Sequence, residues 1–302
     1  FKKPYEEKGI SLVLFTGIIV GIMGFSALVC DIGYLVLEKN RLENTADAAS
    51  LAAVRDLVKD SSLATATALD YIDRNQTGIK DKRVNVSDSS YTVTVSLTKD
   101  LFFTFVRILG VNSMEITAKS TAKIAAVISA KGARPLGIED QPFEYGITYT
   151  LKYGSGDASC GNYGCIALGG TGAAVYEDNL KYGYGGKLVV GQEVLTETGD
   201  MAQPTNKGIK YLIEQCVRVP PCTFDNHDDK CPRVIVVPIL NTTDVNGRKP
   251  VIIVGFATFF IEDVIFQGGN TEIKGRFIKE IANGEISDSQ TNYGLMGIKL
   301  ID

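Results

Sequence analysis

The chain has 302 residues, 35 acidic and 31 basic, with a formal net charge of -4 and a single histidine. A mildly acidic chain with no basic stripe offers no footprint for nucleic acid, and one histidine leaves little material for a Ser-His-Asp or Cys-His site. With 45% apolar residues it can bury a core, and its length leaves room for more than one domain.

The first element dominates the rest. From Ile10 to Cys30 (ISLVLFTGIIVGIMGFSALVC) there is no charge, across about the 20 positions a helix needs to span a bilayer. No proline follows as far as Lys59, so one helix is predicted over residues 10–59. At about 1.5 Å per residue it measures roughly 75 Å, against a radius of gyration near 19 Å for a compact chain of this length. Most of it must stand clear of the globular part, in a bilayer or among the packed stems of neighbouring copies.

The run is longer than the roughly 7 to 15 apolar residues of a secretory signal, and Val29 is too bulky to precede a lipid-modified Cys30. Lys2, Lys3 and Lys8 before the run and Asp31 after it place the N-terminus on the cytoplasmic side and export the remainder. The sequence opens at Phe1 without an initiator methionine, from which a cleaved mature form is expected. Gly17, Gly21 and Gly24, with Ala46, Ala49 and Ala53 further along, keep the helix surface thin. Small residues at this spacing let helices approach closely, so these six are the candidate assembly surface. A plain membrane anchor with incidental glycines is the alternative.

The stretch from Cys30 to Leu57, CDIGYLVLEKNRLENTADAASLAAVRDL, resembles the N-terminal module of Flp (tight-adherence) pilus-assembly TadG-like proteins. There an apolar helix runs into an Asp-x-Gly step and then an Arg-Leu-x-Asn-x-Ala-Asp-Ala-Ala helix. Asp31, Gly33, Arg41, Leu42, Asn44, Ala46, Asp47, Ala48 and Ala49 carry the likeness, which extends to about Ala126. It implies a pilin-like subunit of the type IV pilus superfamily, inserted in the cytoplasmic membrane before assembly and then part of an extracellular filament at the cell surface. Its implied partners are further copies of itself and the pilus-assembly machinery. By analogy Glu6 or Glu7 would pair with a neighbour's terminal amine, since an unpaired charge in an apolar core is costly; solvated charges at a helix start are the other reading. Lys2, Lys3, Glu6, Glu7 and Lys8 make the start polar where pilins are apolar.

After the stem, residues 61–74 read as a second helix with Leu63, Ala66, Leu69, Tyr71 and Ile72 on its apolar face. Residues 83–86 and 91–97 alternate as strands, 101–109 reads as a short helix, and 113–127 alternates again. This ααββαβ order predicts a small pilin-like head over residues 61–130, following a stem over 1–60. Small, basic and proline residues at 129–135 mark a boundary. Residues 131–302 read as a mainly β domain, with strands over 147–152, 187–190, 233–240, 251–260, 271–281 and 295–301 and a helix over 205–215. Within it GNYGCIALGGTGA, DNLKYGY and CPRVIVVPIL resemble a region attached to TadG-like proteins.

Cys30 lies alone in the stem, whereas Cys160, Cys165, Cys216, Cys222 and Cys231 fall in the exported part, as disulfides outside the cytosol would. Two bridges and a free thiol are expected, pairing Cys160 with Cys165 and Cys216 with Cys222 or Cys231. Zinc sites favour close-spaced cysteine pairs or nearby histidines, which these gaps do not supply. The acidic loop around His227 is a weak cation candidate through Asp225, Asp228 and Asp229, lacking the glycine and final glutamate of an EF-hand. Glycines at 154–156 and 169–172 lack a following lysine and an obvious strand-to-helix context, so phosphate binding is not expected.

The fold class expected is thus α+β: a long N-terminal apolar helix, a small pilin-like α/β head and a mainly β C-terminal domain. No enzyme activity, cofactor or metal is expected. The function expected is structural, polymerisation through the stem into a filament whose surface serves adhesion. The alternative is a membrane-anchored TadG-like accessory protein that does not itself form the filament.

Overall fold

One unbroken helix, α1 (Lys8–Asp56), contains the whole apolar run and the alanine-rich stretch after it. The computed structural model describes residues 8–58, 60–153, 163–228, 230–245, 247–282 and 284–301. The chain divides into two compact units, Phe1–Lys123 with Leu300–Asp302 and Ile124–Lys299.

In the first unit, α1 is followed by α2 (Ser61–Asn75), β1 (Asp81–Ser87), β2 (Thr92–Phe102) and β3 (Ser113–Val127). Asp60 caps α2, its carboxylate accepting the Ser62 N–H at 2.7 Å. The strands form an antiparallel meander in the order β1-β2-β3, with Val93 opposite Ala122, Val95 opposite Ser120 and Leu97 opposite Ala118. Those inward residues are buried, as are Leu42, Ala46, Ala49 and Ala53 of α1. The Ser50 and Ser120 hydroxyls, both buried, bond to each other at 3.0 Å.

Two expectations about this unit need correcting. The buried face of α2 consists of Ala64, Ala68 and Ile72, whereas Leu63, Ala66, Leu69 and Tyr71 are exposed. The reason is the partner: α2 lies along the alanine-rich part of α1, and small side chains on both helices permit the closest approach. Residues 101–109 are also not one helix. Leu101 and Phe102 complete β2, and only Val106–Leu109 make a turn of 3-10 helix.

The second unit is mainly β, as expected, but with helices on one side. Its elements are β4 (Ser129–Lys131), β5 (Leu136–Glu139), β6 (Thr148–Tyr153), β7 (Tyr163–Ala167), α3 (Ala173–Tyr182), β8 (Lys187–Val189), β9 (Glu193–Thr196), α4 (Ala202–Glu214), β10 (Val234–Leu240), β11 (Pro250–Gln267), β12 (Asn270–Ile278), β13 (Glu280–Ile281), β14 (Ile286–Ser287) and β15 (Leu295–Ile301). The central sheet runs β10-β5-β7-β9-β11-β12-β6, and β11 also pairs with β10. That extra pairing closes five of the strands into a ring, because β11 meets β9 through Pro250 to Ile252 and β10 through its middle. Closure removes exposed edges.

The core joins Phe259, Ile261, Ile273 and Phe277 of β11 and β12 to Tyr176 and Leu180 of α3 and Ile209 and Leu212 of α4. Glycine is required where backbones meet most closely: a Cβ at Gly275 would stand 2.2 Å from the Phe260 carbonyl oxygen and 2.5 Å from the Phe259 ring. Gly275→Ala should therefore force β11 and β12 apart and cost the second unit at least about 2 kcal/mol. Thermal unfolding of the full chain in detergent checks this, with a lowered midpoint expected.

Candidate functional site

The apolar part of α1 is bare on every side. None of residues 11–30 is buried, and only Ala27 is even half-covered. Leu12, Phe15, Ile22 and Phe25 each expose about three-fifths of their surface or more. A helix that is apolar all round needs a partner outside its own fold. The polar groups within it are satisfied locally, since Thr16 and Ser26 donate to the carbonyls of Leu12 and Ile22 one turn earlier at 2.8 and 2.9 Å. That arrangement suits a medium without water.

Burial begins at Asp31, which is 3% exposed. Its carboxylate accepts the backbone N–H groups of Thr104 (3.1 Å), Phe105 (2.8 Å) and Val106 (2.7 Å). These donors open the 3-10 turn, where they have no partner within the turn itself, and an ionised acceptor makes the stronger hydrogen bonds. Glu38, 4% exposed, follows on the same face. It accepts from Lys99 at 2.7 Å, Arg41 at 2.8 Å and Gln76 at 3.3 Å, which ties α1 to β2 and to the end of α2. Lys39 also donates to the Thr117 carbonyl of β3.

Around the Asp31 clamp lies a second bare apolar surface: Phe102, Phe105, Ile108, Val111 and Met114 are all exposed, Ile108 by 86%. The tip of the β2–β3 connection therefore continues the greasy surface of the helix at the level where α1 enters the fold.

Residues 9–56 match the family model described as putative Flp pilus-assembly TadE/G-like. The first helix carries a TadE/G-like module. The match spans α1 almost end to end and includes Asp31, Gly33, Glu38, Arg41, Leu42 and Asn44. It supports a Flp/Tad pilus-related role and fits a membrane-anchored protein of the cell surface. No curated protein and no solved structure matches the chain.

Within the TadE/G-like module the six candidate assembly residues separate into two groups. A Cβ added to Gly17, Gly21 or Gly24 would meet nothing within 4 Å, so nothing in the chain itself requires glycine there. Ala46, Ala49 and Ala53 are instead fully buried within the chain itself, which corrects their assignment to an intermolecular surface. Glu6 and Glu7 lie outside the described residues.

The other candidates scatter over the second unit. Asp225 and Asp228 are exposed, Asp228 facing Arg218 at 3.6 Å, and Asp229 lies outside the described residues; among the described residues the carboxylates form no cluster able to hold a cation. His227 donates its Nδ1–H to the Phe224 carbonyl at 2.8 Å and packs its ring on Phe260. Glycines 169–172 do stand between a strand and a helix, β7 and α3, contrary to the expectation from sequence. The place an anion would take is filled from within: Glu197, its side chain fully buried and paired with Arg248 at 3.4 Å, accepts the Gly172 N–H at 2.8 Å.

All described cysteines are free thiols. Cys165 is buried, and its thiol donates to the Tyr176 hydroxyl at 3.3 Å; Cys160 lies outside the described residues, and with it the expected bridge between the two. Cys216, Cys222 and Cys231 come together.

Glu38 was passed over in the sequence, and Asp31 was named there only for topology and family likeness. Their signal was the face they share: positions 31, 38, 42, 46, 49 and 53 recur at helical spacing, and all six are buried. Glu38→Ala would leave the half-buried Lys99 ammonium without its counter-ion, at a cost of about 2 kcal/mol. Urea unfolding of the detergent-solubilised chain should show it, and adding Lys99→Met should recover much of the loss. Asp31→Asn keeps the shape but removes the charge, so amide exchange at Thr104, Phe105 and Val106 should accelerate while the rest of the first unit is little changed.

Proposed function

We propose that the chain is a structural, non-catalytic subunit of a Flp/Tad-type pilus. It is held in the membrane by residues 11–30 before assembly and polymerises with its own copies through the same segment afterwards. The observation that carries this reading is the bare TadE/G-like helix, apolar on every side and free of any intramolecular use for Gly17, Gly21 and Gly24. In this reading close stem-to-stem approach at these glycines replaces lipid by protein, with dispersion contacts and small residues supplying the association. The apolar tip carrying Phe105 and Ile108 rests at the lipid boundary before assembly and against a neighbouring stem after it. In this reading the surface of the second unit serves adhesion.

A second reading is favoured by the same all-round apolarity, which suits lipid as well as it suits protein. In it the chain stays in the membrane and assists a pilus built from other subunits.

The experiment is to shear surface material from cells and image it with an antibody to the second unit. Decorated fibres support the subunit, and signal confined to membrane fractions supports the accessory protein. Gly21→Leu sharpens the test, since a side chain there meets nothing within the chain. Folding of the detergent-solubilised monomer should be unchanged, while cross-linking between copies through Cys30, which is exposed on the same helix, should fall sharply. Equal cross-linking with and without Gly21→Leu would sink the stem-packing reading.

A further inference from the structure

The three cysteines between α4 and β10 were expected to yield one disulfide and a spare thiol, yet they converge on one point. Their sulfur atoms all lie within 4.8 Å of one another, and those of Cys216 and Cys231 are 3.8 Å apart. A disulfide needs about 2.05 Å and can join only two of the three. Sulfurs bound tetrahedrally to one zinc ion at about 2.3 Å stand about 3.8 Å from each other. We propose that Cys216, Cys222 and Cys231 form a thiolate site for zinc.

The surroundings are built to hold sulfur as thiolate. Cys222 receives the backbone N–H of Asp228 and the Arg218 guanidinium, the latter at 3.9 Å, and Cys231 receives the backbone N–H of Arg233. Donors of this kind stabilise and orient the ligands of a metal. Three thiolates and a divalent cation leave one negative charge, and Arg218 stands beside it. Cys222 and Cys231 are buried with Phe260 and Ile278 as their apolar wall, and Cys216 is half-buried beside them. Soft ligands in a dry pocket select a thiophilic ion over magnesium or calcium.

The chain holds these positions firmly although they are distant in sequence. Arg233 donates to the carbonyls of Cys222 (2.8 Å), Ile261 (2.8 Å) and Glu262 (2.7 Å), pinning the loop to β11. Arg218 binds both the carbonyl and the side chain of Asn226, and the Cys216 N–H bonds to Ile213 at the end of α4. Among the described residues no fourth ligating side chain joins the three, so water or an incoming ligand completes the coordination.

The test uses the full chain in detergent, reduced and stripped of metal, then titrated with cobalt(II) as a spectroscopic substitute for zinc. One equivalent should produce a thiolate-to-cobalt charge-transfer band that zinc displaces. The band should disappear in Cys216→Ser, Cys222→Ser and Cys231→Ser and survive in Cys30→Ser and Cys165→Ser. A second measurement needs no variant: zinc should protect residues 216, 222 and 231 from alkylation while Cys30 is labelled at its usual rate, as read by peptide mass mapping. Failure of zinc to protect those three, or a disulfide between two of them in chain isolated with its thiols blocked at lysis, overturns the assignment. Neither result bears on whether the stem polymerises.

Discussion

The carboxylate of Asp31 meets the N–H groups of Thr104, Phe105 and Val106, and this contact determines how the long helix is shared between two environments. A carboxylate taken out of water is tolerated only with partners, and these donors are satisfied only if α1 has the right register against the β2–β3 connection. On one side of the contact the helix is bare and apolar; on the other, Glu38, Leu42, Ala46, Ala49 and Ala53 form its buried stripe. The clamp thus divides one continuous helix into a part that belongs to the fold and a part that must find company elsewhere. Glu38 reinforces it by holding β2 and the end of α2 to the same face.

The stem was the most readable part of the chain, because an uncharged run of that length has few physical outcomes. The strands of the first unit were also legible, since residues such as Val93, Val95 and Leu97 alternate strictly with polar neighbours. The face of α2 was misjudged because hydrophobicity was weighed by size. Leu63 and Leu69 are the greasier residues, yet Ala64 and Ala68 make the contact, and only the identity of the partner helix decides this. In the second unit α3 went unseen because the glycines before it read as loop. What makes it a helix is tertiary: Tyr176 and Leu180 dock into the core, and Leu180 lies so close to Gly208 of α4 that a Cβ there would be 2.5 Å from it.

The site residues divide along the same line. Gly17, Gly21 and Gly24 could be singled out because a helix has a fixed period, so sequence spacing converts directly into a face. The cysteine cluster could not, because its members are brought together by a loop whose shape depends on Arg233 reaching across to β11. Spacing rules for zinc describe short knuckles, in which the backbone between ligands is itself the scaffold. Here the scaffold is the sheet, and the gaps between cysteines carry little information. The same holds for the glycines before α3, whose anion-accepting position is occupied by Glu197 from β9's end of the sheet.

From Tyr34 to Asp56, α1 contains neither glycine nor proline, and the usual causes of a sharp bend are glycine, proline or an inserted bulge. The module is therefore a stiff strut joined at one end to its sheet. Tension applied at the greasy end travels along the axis undiminished and arrives as shear on the alanine seam and on the Glu38–Lys99 pair. Seams loaded in shear resist through many contacts at once, whereas a hinge would have let them peel apart one by one. With no flexible joint between Gly33 and Asp56, the helix and the sheet it joins respond to such a load as one piece.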